Sequence, residues 1–208
     1  MKTTPTKCVI ELKSQLQSLR KLDALNQKQF STDSRKASLT KDQLHVLTEA
    51  IFFAAFRSYE QFIRNVFILY CCGIQPSRRK LIHPFLKPKT FEHAEELIQS
   101  SMPFLDWSSP DCVIERAQTY LKNGYPIKDV LSLKLDELRD LKRIRNHIAH
   151  MSKESRLEYL KIVKKHYGTV PLKVPRPGEF LLLTHRSSSS YYLEYFLQII
   201  DDIAMQLK

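Results

Sequence analysis

Between Leu141 and Ser152 the chain reads LKRIRNHIAHMS, and Arg145, Asn146, His147 and His150 fall within six consecutive positions of it. These residue types suit phosphate chemistry. An arginine grips a phosphate through a planar, permanently charged fork. A histidine takes up and releases protons near neutral pH. Beside an RNA phosphodiester the two fit cleavage without a metal ion. The 2′-hydroxyl attacks the neighbouring phosphorus, a base removes its proton, and an acid protonates the departing 5′-oxygen. That reaction draws on two proton-transfer groups, and one copy of His150 supplies one. A two-fold dimer brings two copies of Arg145 and His150 to one cleft. The chemistry therefore implies a homodimer with a shared site.

The same residues also have a plainer reading. At roughly 100° per residue, Arg145 and His150 lie about 140° apart on a helix, so they share no strict face. A helix C-terminus favours a cationic imidazole, and an arginine beside a buried stripe is ordinary surface. A capping histidine with a surface arginine thus stands beside the active-site reading. His147 and His150, three apart, have metal-ligand spacing, with Glu137 and Asp140 upstream. No ExxH pair on another helix completes a carboxylate cage, so neither a metal nor any other cofactor is expected. Serine and cysteine nucleophiles lack a recognisable partner pattern.

The element that must carry these residues is a helix over Ser132–His150, whose buried stripe is Leu135, Leu138, Leu141, Ile144 and Ile148. Ser152 is placed to cap a further helix over Lys153–Tyr167, with Gly168 just past its end. Upstream, Val9, Leu12, Leu16, Leu19, Leu22 and Leu25 mark a helix from about Lys7 to Phe30, closed by the polar break STDSRKASLT. Thr40 caps a long helix from near Lys41 to about Cys72, stopped by Gly73. Leu44, Leu47, Ile51, Ala55, Tyr59, Phe62, Val66 and Leu69 line one side of it. Phe52, Phe53, Phe56, Ile63 and Phe67 broaden that side, which predicts a central place in the core. Thr90 caps a short helix over Phe91–Ser100, and Ser109 with Pro110 starts another that ends near Gly124. TVPLKVPRPG is a proline-rich connection, GEFLLLT a short strand or extended segment, and Tyr191–Leu207 a closing helix. No repeat, Gly-rich phosphate loop or βαβ alternation occurs. The expected fold is all-α: one helical domain over residues 1–208, a bundle with a short extended segment before the C-terminal helix.

Composition agrees. Four glycines favour helices over turn-rich β architecture, and 43% hydrophobic residues suffice for a core. The 33 Lys and Arg against 22 Asp and Glu leave a formal charge of +11, which suggests a polyanionic partner, nucleic acid first. The N-terminus has no apolar signal-peptide core, and the most apolar run, Val46–Phe56, is too short to span a bilayer. The four cysteines form no CxxC pair. A cytoplasmic protein with reduced thiols and no membrane partner is expected.

In this context Arg145-Asn146-His147-Ile148-Ala149-His150 resembles the RNxxxH signature of the HEPN superfamily, at the end of a late helix as that family places it. FAAFRSYEQFIRNVF in the long helix is similar to the aromatic and acidic second-helix pattern of the RiboL-PSP-type HEPN ribonucleases, and IAHMSKESRLEYLKIVKKHYG with PGEFLLL to their continuation. The likeness runs over about Leu44–Leu207 and is thinnest in the middle. It implies a dimeric helical bundle and metal-independent endoribonuclease activity, often in a toxin with an antitoxin partner or an antiphage-defence effector. Carried over, Arg145 contacts the scissile phosphate, His150 transfers protons, and Asn146 orients the pair or binds phosphate. Glu60 matches an acidic second-helix position and either reaches the site or pairs on the surface with Arg57 or Arg64. His147 has no fixed family role. It is an exposed residue first and a substrate-binding or proton-carrying auxiliary second. Where members silenced by nucleotide transfer carry a tyrosine two residues past the signature His, this chain has Ser152, which argues against that control.

Two basic stretches are candidates for gripping RNA. Ile74–Phe91 holds Arg78, Arg79, Lys80, Lys87 and Lys89 with no acid. Lys161, Lys164, Lys165, Lys173 and Arg176 lie in another acid-free run, between Glu158 and Glu179. Such contacts are salt-sensitive and blind to sequence, while Phe85, Trp107 or Tyr167 offers a ring for unpaired bases. Solvated charge and loop packing explain the same features. The alternatives to a nuclease are a non-catalytic HEPN-like module that binds RNA or protein, and an antitoxin-like or structural subunit.

Overall fold

The computed structural model describes residues 3–30, 38–77, 81–99 and 105–208. The protein is all-α and 71% helical, and the described residues form nine α-helices and no β-strand. In chain order these are α1 (Pro5–Gln29), α2 (Lys41–Cys71), α3 (Phe91–Gln99), α4 (Pro110–Tyr120), α5 (Ile127–Ser132), α6 (Leu135–His150), α7 (Lys153–Tyr167), α8 (Pro177–Leu181) and α9 (Tyr192–Gln206). Arg78, Arg79 and Lys80, part of the polar break before α2, and the expected end of α3 at Ser100 lie outside the described residues.

Local chemistry explains four of the helix starts. Thr40 and Gln43 form a reciprocal capping box: the Gln43 amide donates to Thr40 Oγ1 (3.2 Å) and the Thr40 amide to Gln43 Oε1 (2.8 Å). Thr90 caps α3 through the His93 amide (3.1 Å), and Ser152 caps α7 through the Ser155 amide (3.2 Å). Pro110 occupies the first turn of α4, where its missing N–H costs nothing. At the other end of α7, Gly168 takes φ 81° and its amide reaches back to the Lys164 carbonyl.

Four expectations need correction. The stripe of α1 does not stay buried: Leu22 and Leu25 are 45% and 56% exposed, and Asn26 is 5% exposed instead. Leucines spaced strictly three apart fall about 60° short of a full turn at each step, so the row winds away from the core. Second, α4 stops at Tyr120, because Leu121 is extended and Asn123 adopts φ 61° in the 3-10 turn Lys122–Gly124. Third, α6 begins at Leu135, and Ser132 is instead the last residue of the separate helix α5, with a turn at Leu133 and Lys134 between them. Fourth, most of GEFLLLT is helical, with Gly178–Leu181 inside α8; the extended pairing there is an isolated bridge between Thr184 and Tyr191.

By their contacts the residues divide into two compact units. The first comprises residues 1–14, 58–139 and 200–208. Its core holds Tyr59, Phe62, Ile63 and residues 66–71 of α2 together with Val113, Ala117, Leu121, Ile127 and Leu131. Phe67 meets the edges of Trp107 (5.3 Å) and Tyr120 (6.1 Å), and the Arg116 guanidinium lies over Trp107. Tyr70 donates its hydroxyl to the Leu207 carbonyl (2.5 Å).

The second unit comprises residues 15–57 and 140–199. Phe52 and Phe196 pack edge to face at 6.0 Å. Arg20 Nε donates to both oxygens of the Glu194 carboxylate, each at 2.9 Å. Gly178 is required by a close approach, since a Cβ there would stand 2.1 Å from the His45 carbonyl oxygen. Its amide donates to the buried carboxylate of Glu49 at 2.9 Å. A chain of ion pairs lies along α6 and α7: buried Asp140 accepts from Arg143 and Lys165, each at 2.9 Å, and Arg143 also donates to Glu158 at 3.1 Å.

Candidate functional site

The RNHIAH segment forms the last turn and a half of α6. Leu138, Leu141 and Ile144 are fully buried and fix the rotation of the helix about its axis. That rotation leaves Arg145, Asn146, His147 and Ile148 half-buried and Ala149 and His150 exposed. The helix closes on Met151, a non-glycine residue at φ 47°, whose amide reaches back to the His147 carbonyl (3.1 Å). Two residues later α7 begins.

Arg145 lies over two aromatic rings of α2. Its guanidinium carbon is 5.6 Å from the Phe53 centroid and 5.8 Å from that of Phe56. Nη1 donates to the Asn146 side-chain oxygen at 3.0 Å. The arginine is therefore steadied from below by ring faces and from the side by its neighbour. Phe53 and Phe56 count as core in a periodicity analysis, so their second role as a platform is invisible there.

His147 is not the exposed residue that the sequence suggests. Its ring stacks on Tyr159 of α7, with centroids 4.9 Å apart and planes 21° from parallel. Nδ1 lies 3.2 Å from the hydroxyl of Ser155, which is itself buried. The Ser155 hydroxyl donates its one proton to the Ser152 carbonyl (3.0 Å). The histidine must then donate from Nδ1, which fixes its tautomer with the proton on that nitrogen. Tyr159 donates in turn to the Pro175 carbonyl (3.1 Å). Neither Ser155 nor Tyr159 stands out in the sequence. The one signal is that Ser155 follows the cap Ser152 by three positions, where its side chain can turn back toward the preceding helix.

His150, the last residue of α6, is exposed to solvent. Glu60 belongs to the first compact unit, where it is half-buried on α2; its possible partner Arg64 is engaged with Glu95. Arg145, Asn146, His147 and His150 all belong to the second unit. The second basic run is partly neutralised: Lys161 pairs with Glu158, Lys165 with Asp140 and Arg176 with Asp42. Trp107 is taken up in packing against Phe67 and Arg116. Among the described residues no group of three or more His, Cys, Asp or Glu is placed to hold a metal ion, and no helix is long and apolar enough to cross a membrane.

Burial depresses the basicity of three histidines in this unit. His147 is held below the usual 6.5, first by burial and then by Arg156, with Glu49 opposing. Burial does the same at His45, and at His166, where Arg186 and His185 add to it. A histidine harder to protonate when folded than when unfolded contributes stability that is whole above the unfolded value. That contribution is lost as pH falls through 6.5 toward the folded value. The melting temperature is therefore expected to fall between about pH 7 and about pH 5.5, and His147→Gln to flatten that slope. A flat profile for the wild type over this range would contradict the assignment.

Comparisons with protein-family profiles, with curated proteins and with solved structures give no match to this chain.

Proposed function

We propose that the protein is a metal-independent endoribonuclease of the HEPN type, acting as a homodimer in a toxin or antiphage-defence setting. The observation that carries this reading is the end of α6. Arg145 is held half-buried by Phe53, Phe56 and Asn146, while His150, five residues on, is exposed at the helix terminus. A fixed cation beside an accessible imidazole is what phosphodiester cleavage asks for. In this scheme one His150 takes the 2′-hydroxyl proton while the His150 of a second copy protonates the leaving 5′-oxygen. Arg145 stabilises the charge that builds on the phosphoryl oxygens as phosphorus becomes five-coordinate. His147, already committed to Ser155 and Tyr159, holds the α6–α7 corner and transfers no proton.

That commitment also favours a second reading. With His147 occupied, each chain offers one proton-transfer group in RNHIAH, and a chain that does not pair through this face would bind RNA without cutting it. The test is a digest of total cellular RNA and purified tRNA in EDTA, with wild type beside His150→Ala. Cleavage by the wild type alone, leaving 2′,3′-cyclic phosphate ends, is the expected result. Binding that weakens with salt, with no cleavage by either protein, would replace the nuclease with the binding module.

A further inference from the structure

A different surface, in the first compact unit, has its own chemistry. Residues 81–89 lie between α2 and α3 outside any helix, with bends at Phe85 and Lys89, and their exposure alternates. Leu81, His83, Phe85, Lys87 and Lys89 face solvent, whereas Ile82 is buried and Pro84, Leu86 and Pro88 are half-buried. Alternation of this kind is the mark of an extended backbone whose successive side chains point to opposite sides. The backbone is tied down on both sides. Ile82 exchanges two hydrogen bonds with the Gln75 side chain, at 2.7 Å and 3.1 Å. The Phe85 amide donates to the Tyr120 carbonyl and the Lys122 amide to the His83 carbonyl, both at 2.9 Å, around a bridge between Pro84 and Leu121. None of these bonds uses an outward side chain.

The outward row is unusual for a loop. Phe85 is 61% exposed, although a phenyl ring gains by burial. It stands between His83 and Lys87, with Lys89 beyond and the exposed Lys122 brought alongside His83 by the backbone pairing. No Asp or Glu occurs between Glu60 and Glu92. Cations on alternate positions of an extended strand stand about 7 Å apart. An exposed ring beside cations that track a backbone is the combination by which proteins hold unpaired nucleotides. A duplex would leave the ring unused, and the two apolar side chains of the row, Leu81 and Phe85, make a narrow face for a protein partner.

From this we infer that the 81–89 strip is a binding track for single-stranded RNA, with Phe85 stacking on a base and Lys87, Lys89 and Lys122 contacting phosphates. The inference rests on the reading of the protein as RNA-directed, but not on cleavage. Pinning the strip before binding lowers the ordering cost that a loose loop would incur.

The test uses the full chain and a short fluorescent 2′-O-methyl oligouridylate, which has no attacking hydroxyl, so the result does not depend on whether RNHIAH cuts. Phe85→Ala is expected to weaken binding roughly tenfold, Phe85→Tyr to restore it, and neither to alter binding of a duplex of equal length. Lys87→Gln with Lys89→Gln is expected to lower the slope of log affinity against log salt by about 1.4. All variants should melt with the wild type, because the altered side chains are exposed. Failure of the wild type to bind, wild-type affinity in Phe85→Ala, equal loss on single strand and duplex, or an unchanged salt slope in the lysine pair would each overturn the inference. So would a preference for phosphatidylserine vesicles over the oligonucleotide.

Discussion

Arg145→Ala is expected to lower RNA cleavage roughly 10²- to 10³-fold, the usual cost of removing one group that stabilises transition-state charge. Most of the loss should fall on kcat, because negative charge on the phosphoryl oxygens grows as phosphorus becomes five-coordinate. The side chain is already aimed before RNA arrives: rings lie 5.6 Å and 5.8 Å from its guanidinium, and Asn146 accepts one of its hydrogens. Arg145→Lys keeps the charge but loses the planar fork, so it should recover only part of the rate. The structural cost is modest, since a half-buried cation over ring faces contributes about 0.5–2 kcal/mol. Rates and melting temperatures measured on the same preparations separate the two roles. A rate loss that merely tracks unfolding, or full activity without the arginine, would remove Arg145 from the chemistry.

The largest stability effect should come from Tyr159→Ala, at about 3–5 kcal/mol, the range for deleting a buried aromatic side chain. Tyr159 is 1% exposed. It stacks on His147, meets the edge of Phe180 at 6.0 Å and donates to the Pro175 carbonyl. The variant would open a cavity, strand that carbonyl and release the imidazole. Tyr159→Phe isolates the hydrogen bond and should cost about 1 kcal/mol, somewhat more if no water reaches the carbonyl. Urea unfolding of both variants gives the comparison. A Tyr159→Ala chain as stable as the wild type would mean that the α6–α7 corner is held by something else. Because Tyr159→Phe keeps the ring that stacks on His147, the proposed nuclease should retain close to its wild-type rate in that variant.

How far the sequence could be read depended on whether local or distant chemistry decided each feature. Helix starts were legible at Thr40, Thr90 and Ser152, because a cap is a contact across three residues. The α6 stripe was legible at its centre, Leu138, Leu141 and Ile144, whereas Leu135 and Ile148 at its ends are half-buried. The α1 stripe misled because from Leu16 onward its leucines keep a spacing of three, and nothing local shows that Asn26 takes the inward position. The break between α5 and α6 had no proline or glycine to announce it. GEFLLLT is apolar enough for a strand, yet Pro177 opens a helical turn there and Glu49 captures the Gly178 amide. At the candidate site, the place of RNHIAH at a helix end could be foreseen. The burial of His147 could not, because it depends on Tyr159 and Ser155 of the next helix. The same holds for Phe85: its exposure follows from backbone pairing with residues 120–122, which lie far along the chain.

The corner between α6 and α7 also sets a rule about chain length. Only Met151 and Ser152 separate the two helices, and both are in use, one with its backbone turned to positive φ and the other as a cap. One residue inserted there would lengthen this non-helical turn by up to about 3.5 Å and redirect α7 relative to the end of α6. Ser155 and Tyr159 would swing away from His147 together, and the direction of His150 would change with the altered turn. Variation in this protein should therefore take the form of exchanged side chains at the corner and never of added or missing residues. Loops elsewhere, such as the mostly exposed stretch 169–173, are free to grow or shrink. A library of single-residue insertions scored for folding would show the corner as a gap in an otherwise permissive stretch.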